Sequence, residues 1–156
     1  MSAHIEILVR EARPADLGRL VALLDQLFRI EAAFAPDAHR QRRGLEALLA
    51  RGDRARVLVA EAGGTVVGML TAQIVVSTAA GGDTAWLEDM VVDAPWRGRG
   101  IARRLLADME RWARGRGLAR LQLLADRGNA PALALYAGRG WQDTGMGAWH
   151  RQIRDD

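Results

Sequence analysis

The chain has 156 residues, of which 49% are hydrophobic and 26% charged, with a formal net charge of +3. This is ordinary composition for a single domain, here taken as 1–156; it excludes a disordered or collagen-like chain, and no apolar run approaches the ~20 residues of a membrane span. There is no cysteine and no lysine, all 22 Lys+Arg residues being arginine. That excludes a disulfide scaffold, a thiolate nucleophile, Cys-ligated zinc, a P-loop lysine and a Schiff base.

Met1-Ser2-Ala3-His4-Ile5-Glu6 has no basic region followed by an apolar stretch, so no signal peptide is expected, and a cytoplasmic protein is. Ile5–Arg10 reads as a first strand. Pro14 and Asp16 mark a helix start, with Asp16 complementing the helix dipole. Leu17, Leu20, Val21, Leu24, Leu27 and Phe28 then recur at three- and four-residue spacing, which predicts one apolar helix face. Pro36-Asp37 restarts the pattern, and a second helix carries Leu45, Leu48 and Leu49.

A strand-rich stretch follows. Arg56–Glu61, Thr65–Ser77 and Ala85–Val92 are separated by turns at Gly63-Gly64 and at Gly81-Gly82-Asp83, which predicts an antiparallel meander. Ile101, Leu105, Leu106, Met109, Trp112 and Ala113 form the next helix face, ended by Gly115 and Gly117. Leu118–Ala125 reads as a strand, Asn129–Arg139 as a helix closed by Gly140, and Trp141–Met146 with Ala148–Arg154 as a final strand pair. The expected fold class is α/β (α+β), a mixed and mostly antiparallel central sheet flanked by about four helices.

The most informative stretch is Val91-Val92-Asp93-Ala94-Pro95-Trp96-Arg97-Gly98-Arg99-Gly100-Ile101-Ala102. A buried strand ends, a short glycine loop follows, and an amphipathic helix begins. Backbone N–H groups at such a junction have no intrahelical acceptor and point outward together, which suits an anion. Gly98 and Gly100 permit unusual backbone angles and close approach of a phosphate, and Arg97 and Arg99 add charge. A dinucleotide fingerprint would need glycine at 103, where Arg103 stands, and a Walker loop would need lysine.

What is left is Arg-x-x-Gly-x-Ala, at Arg97, Gly100 and Ala102. This resembles the pyrophosphate loop of the GNAT N-acetyltransferases. The order of elements over roughly residues 5–154 is similar to that family's fold, and Asn129-Ala130-Pro131 with Tyr136, then Gly138-Arg139-Gly140-Trp141, resemble its last helix and the turn after it. Trp86–Val92 is similar to the diamine N-acetyltransferase-like branch. The resemblance implies acetyl-CoA as co-substrate, no metal, and a homodimer. It implies a cofactor site at Met90, Val91 and Val92, whose strand backbone pairs with the pantothenate arm, at the loop from Arg97 through Gly98, Arg99, Gly100, Ile101 and Ala102 to Arg103, and at Asn129, which is equally a plain helix N-cap.

Acetyl transfer from a thioester to an amine needs a proton acceptor for the amine, an N–H donor for the carbonyl oxygen and an acid for the leaving thiolate. The only tyrosine, Tyr136, is the candidate acid, with a packed core tyrosine as the alternative. Glu88 is the candidate base by resemblance, acting through a water, and strict strand alternation would put Asp89 on the opposite face. Glu31, in Glu31-Ala32-Ala33-Phe34, is with Glu88 a candidate for attracting a cationic amine. Gln73, Trp86 and Trp149 read mainly as packing, His150 as incidental, and Arg40, Arg42 and Arg43 as a solvated face. His4, His39 and His150 lie far apart without cysteine partners, so no metal site is expected. The favoured reading is an N-acetyltransferase for a small cationic amine. The alternatives are a non-catalytic acyl-CoA-binding module and an enzyme acting on a protein N-terminus or lysine. The arginines are spread along the chain, against a nucleic-acid binder.

Overall fold

A computed structural model of the chain describes residues 4–31 and 34–154. The start of the N-terminal stretch, 1–3, then Ala32 and Ala33 of the expected acceptor-side segment, and 155–156 lie outside the described residues. The chain divides into two compact units, Met1–Leu123 and Leu124–Asp156.

The first unit runs β1 (Ile7–Glu11), α1 (Leu17–Ile30), α2 (Ala38–Leu49), β2 (Ala55–Ala62), β3 (Thr65–Ser77), β4 (Gly82–Val92), α3 (Ile101–Gly115) and β5 (Leu121–Leu123). The strands lie in one sheet in chain order, antiparallel except for the β4–β5 pair. The expected meander is β2-β3-β4. Its first hairpin turns on Gly63 and Gly64, both at positive φ (54° and 83°), as a two-residue primed turn requires.

The apolar face of α1 buries Leu17, Leu20, Leu23 and Leu24 against Leu45 of α2 and against Val57, Val59, Met69 and Val91 of the sheet. The opposite sheet face receives α3. Gly68 is next to Met69, so it looks the other way. A Cβ built on Gly68 would stand 3.2 Å from Ile101 Cγ2 and 3.3 Å from Leu105 Cδ1. Gly68 therefore lets the first turns of α3 seat directly on β3. Ile101, Leu105, Leu106 and Met109 are almost fully buried there. Burying each is worth about 1.5–3 kcal/mol.

Asp16 stands at the helix start as expected, and it also has a role that its sequence position does not show. The first turn, Pro14–Asp16, is a 3-10 turn, and Asp16 is buried. Its carboxylate accepts from the Arg10 guanidinium at 2.8 and 3.0 Å and from the Arg13 N–H at 2.7 Å. The Arg10 guanidinium holds the Asp16 carboxyl below the usual range. Arg10 also donates to Glu61 at 2.7 Å, so one cation fastens β1 to β2 and to the start of α1.

Strand β5 is shorter than the expected Leu118–Ala125. Gly117 sits at φ 68° and the Leu118 N–H bonds back to the Ala113 carbonyl, which spends those residues on closing α3.

In the second unit, α4 (Ala130–Gly138) starts at Asn129, whose Oδ1 accepts from the Ala132 N–H at 3.2 Å, and the chain turns away at Gly140, φ 85°. The expected strand pair over 141–154 is absent among the described residues. The reason is turn chemistry. The Asp143 and Thr144 side chains accept from the N–H groups of Gly145 and Met146, and Gly145 stands at φ 77°. These local bonds compete with a ladder.

Replacing Gly68 with valine overpacks the β3–α3 contact, with an expected loss of about 1–3 kcal/mol in urea unfolding. A Gly68→Val variant as stable as the wild type would show that α3 does not rest on this position.

Candidate functional site

The loop between β4 and α3 is built as its glycines require. A 3-10 turn, Ala94–Trp96, leaves β4. Gly98 and Gly100 then take φ 74° and 77°, and Gly100 is the N-cap of α3, with no side chain capping the helix. The first intrahelical bond runs from the Arg104 N–H to the Gly100 carbonyl. The N–H groups of Ile101, Ala102 and Arg103 precede it and by helix geometry have no acceptor within the helix. Among the described residues no atom lies within 4 Å of where a Cβ would stand at either glycine. Exposed donors, the positive end of a 15-residue helix and open space above the glycines suit a bulky anion.

Two arginines are held in place beside these donors. Arg97 Nε donates to the Val92 carbonyl at 2.9 Å, and the Arg99 guanidinium lies 4.8 Å from the centre of the Trp96 ring. The start of the loop is pinned by residues that sequence reasoning passed over. Asp93 accepts from Gln26 at 2.8 Å and from Arg19 at 3.3 Å, Gln26 also accepts from the Ala94 N–H at 3.3 Å, and the Asp93 N–H bonds the Val67 carbonyl.

Strand β4 pairs with β5 only at Ala85, Trp86 and Leu87. Beyond Leu87 no strand among the described residues pairs with that edge, which leaves the backbone of Met90, Val91 and Val92 for an extended partner. On its other side β4 stays paired with β3 down to Val92, but with a shift. Thr71 faces Glu88 and Met69 faces Val91, so Asp89 and Met90 oppose the single residue Leu70. This is a β-bulge. Asp89 sits in it at φ 54°, the only non-glycine residue at positive φ among the described residues.

The bulge overturns the expected alternation of Glu88 and Asp89. Glu88 shares the face of its cross-strand partner, Thr71. The Thr71 hydroxyl donates to the Glu88 carbonyl at 3.0 Å and reaches the Asp89 carboxylate at 3.2 Å. Both carboxylates are therefore on one face, Glu88 exposed and Asp89 half-buried. Burial first, and then the charge of Glu88, push the Asp89 carboxyl up to about 6; the Thr71 hydrogen bond opposes them, and the charge of Glu31 adds a push smaller than that opposition. Glu31, the C-cap of α1, is thus near enough for its charge to be felt at Asp89.

Gln73 and Trp86 are half-buried cross-strand partners. Arg40 pairs with Asp37 and Arg42 with Glu46 on α2. Phe34 packs its ring on Phe28, centroids 5.5 Å apart. In the second unit Tyr136 is half-buried, its ring 6.1 Å from that of Trp141, and Asn129 serves as N-cap. Trp149 is 97% exposed.

A family model described as "Acetyltransferase (GNAT) family" matches residues 21–141. The rat protein N-acetyltransferase family 8 member 2 is 36% identical over 87 residues, 56% of this chain and 38% of that protein. The match thus spans well under half of that relative's length. Among solved structures, a transcriptional regulator from Bacillus halodurans C-125 is similar at TM-score 0.83 and 22% identity, covering 94% of this chain and 100% of that one. An aminoglycoside N-acetyltransferase in complex with CoA is similar at TM-score 0.82 and 20% identity, covering 99% of each chain. These two share the fold. No described helix is long and apolar enough to cross a membrane.

The raised Asp89 carboxyl makes a stability prediction. Well below pH 3.8 the carboxyl is protonated in both folded and unfolded chains and costs little. As pH rises from 3.8 through about 6, the unfolded chain ionises first and stability is lost. Asp89→Asn should therefore raise Tm at pH 8, with the gain shrinking toward pH 4. A gain that is equal at both pH values, or none, would show that this carboxyl carries no burial penalty.

Proposed function

The chain belongs to the acetyltransferase (GNAT) family, and from that premise we propose that it moves an acetyl group from acetyl-CoA to the primary amine of a small cationic metabolite, by direct attack in a ternary complex. In this reading residues 1–156 form one N-acetyltransferase domain, working in the cytoplasm as a homodimer. The observation that carries it is the loop: two left-handed glycines opening a helix N-terminus that no side chain caps, beside a strand edge that no strand among the described residues pairs. The CoA bound to one structural neighbour supports the donor.

The diphosphate of the donor sits on the N–H groups from Gly98 to Arg103, with Arg97 and Arg99 adding charge. The pantothenate arm pairs with the β4 edge at Met90, Val91 and Val92, and in this reading Asn129 bonds the arm besides capping α4. Bound acetyl-CoA supplies an acyl carbon already activated as a thioester. The Met90 N–H faces the carbonyl oxygen and stabilises the charge that grows there.

Glu31 and Glu88 attract the ammonium group. The amine gives one proton to a β4 carboxylate, which the family resemblance assigns to Glu88 through a water. Its nitrogen then forms the C–N bond to the acyl carbon. When the C–S bond breaks, the electron pair stays on sulfur, and sulfur takes the proton of the Tyr136 hydroxyl. The second amine proton restores Tyr136, and the first passes from the carboxylate to solvent. Holding both reactants in register supplies much of the rate.

Gly100→Glu puts a carboxylate where the diphosphate binds. Calorimetry should show acetyl-CoA affinity falling roughly 100-fold or more with an unchanged circular dichroism spectrum. Unaltered affinity would remove the loop from the site. Tyr136→Phe should lower kcat about 100-fold while leaving acetyl-CoA affinity in place. A normal kcat would remove Tyr136 from the chemistry. Acetyl-CoA binding without thiol release across a panel of amines would mark a binding module instead of an enzyme.

A further inference from the structure

We propose that Asp89, not Glu88, is the group that accepts the amine's proton, and that Glu88 serves to hold the cationic acceptor. The inference rests on the acetyltransferase reading and assigns the work within that site.

Three observations separate the neighbours. Asp89 occupies the bulge itself, the residue before Met90, so its position is fixed by the same two-against-one pairing that frees the Met90 backbone. Glu88 is an ordinary ladder residue with an exposed side chain. The Asp89 backbone is in the left-handed region, which for a residue with a Cβ costs of order 1–3 kcal/mol. Glycine would take that φ freely, so the side chain, not the backbone, has to explain an aspartate here. The carboxylate is half-buried against the Thr71 hydroxyl at 3.2 Å. The single hydrogen of that hydroxyl is shared between the ionised carboxylate and the Glu88 carbonyl; when the acid is protonated the hydroxyl accepts from it and donates to that carbonyl, so both states of the carboxyl have a partner.

The surroundings act in the same direction. The groups facing Asp89 are Thr71 from β3, Glu88 from its own strand and Glu31 from the end of α1. Two of the three are acidic, and with burial they hold the Asp89 carboxyl near 6. Such a group is mostly ionised at neutral pH yet binds a proton far better than an exposed carboxylate. In the transfer, one N–H bond of the ammonium breaks, its proton goes to an Asp89 oxygen, and the lone pair released on nitrogen forms the C–N bond. The proton then leaves to solvent.

The test uses the full chain, acetyl-CoA and an amine panel, with Asp89→Asn, Asp89→Gly and Glu88→Gln. Asn and Gly both tolerate positive φ, so both keep the bulge and remove the base. Expected are a kcat fall of roughly 100-fold or more in both Asp89 variants, acetyl-CoA affinity by calorimetry within a few-fold of wild type, and loss of the acidic limb of the kcat/KM profile. Glu88→Gln should mainly raise KM for the amine, with kcat reduced less than tenfold and the acidic limb retained. An Asp89→Gly enzyme with kcat within tenfold of wild type, or a Glu88→Gln enzyme that alone loses the limb, would overturn the assignment while leaving the acetyltransferase reading intact. A wild-type chain that releases no thiol with any amine overturns both. If the Asp89 variants lose acetyl-CoA affinity in parallel with kcat, the residue shapes the strand and the assignment falls.

Discussion

The hydrogen-bond ladder between β3 and β4 is the constraint on which the site depends. It must run nearly the whole length of two long strands, yet absorb one extra residue on β4 opposite Leu70. Below the bulge, Ala85–Leu87 also pair with β5; above it no strand among the described residues pairs with that edge. The same irregularity turns Asp89 into the left-handed region and brings its carboxylate to the face of Glu88. Were β4 regular, the two carboxylates would face opposite sides. The strain at Asp89 is of the order of a few hydrogen bonds' net worth, and the paired residues on both sides of it are what keep it from relaxing.

The loop beyond Val92 is held from two directions. Gly68 admits the first turns of α3 to the sheet, so the helix N-terminus is anchored by buried Ile101 and Leu105. Asp93 is gripped from α1 by Gln26 and Arg19. Between these anchors Gly98 and Gly100 shape the turn in the left-handed region, next to helix donors that have no acceptor within the helix. Apolar packing fixes where the helix begins, and polar contacts fix where the strand ends. The proposed binding surface is what lies between.

Most of the fold was legible because it is written in local periods. The faces of α1 and α3 follow from three- and four-residue spacing, and β3 has the predicted bounds because glycine turns flank it. The loop was legible for a related reason: glycines at 98 and 100 are hard to explain in any other conformation. The bulge was not, since Trp86–Val92 reads as a regular strand and the extra residue exists only relative to β3. Long-range polar pairs were equally hidden. Gln26 and Asp93 are 67 positions apart, and nothing in either neighbourhood names the other. Asp16 was legible as a helix-start acid, but its partner Arg10 on β1 was not. At 141–154 the apolar residues suggested strands, but Asp143, Thr144 and Gly145 form turns instead.

Helix α1 joins two parts of the site. Gln26 holds the strand end at Asp93, and Glu31 caps the same helix five residues on. The segment between them is a single rod of continuous main-chain bonds, too stiff to bend locally. A substitution that shifts α1 on the sheet therefore displaces the strand-end contact and the acidic tip together.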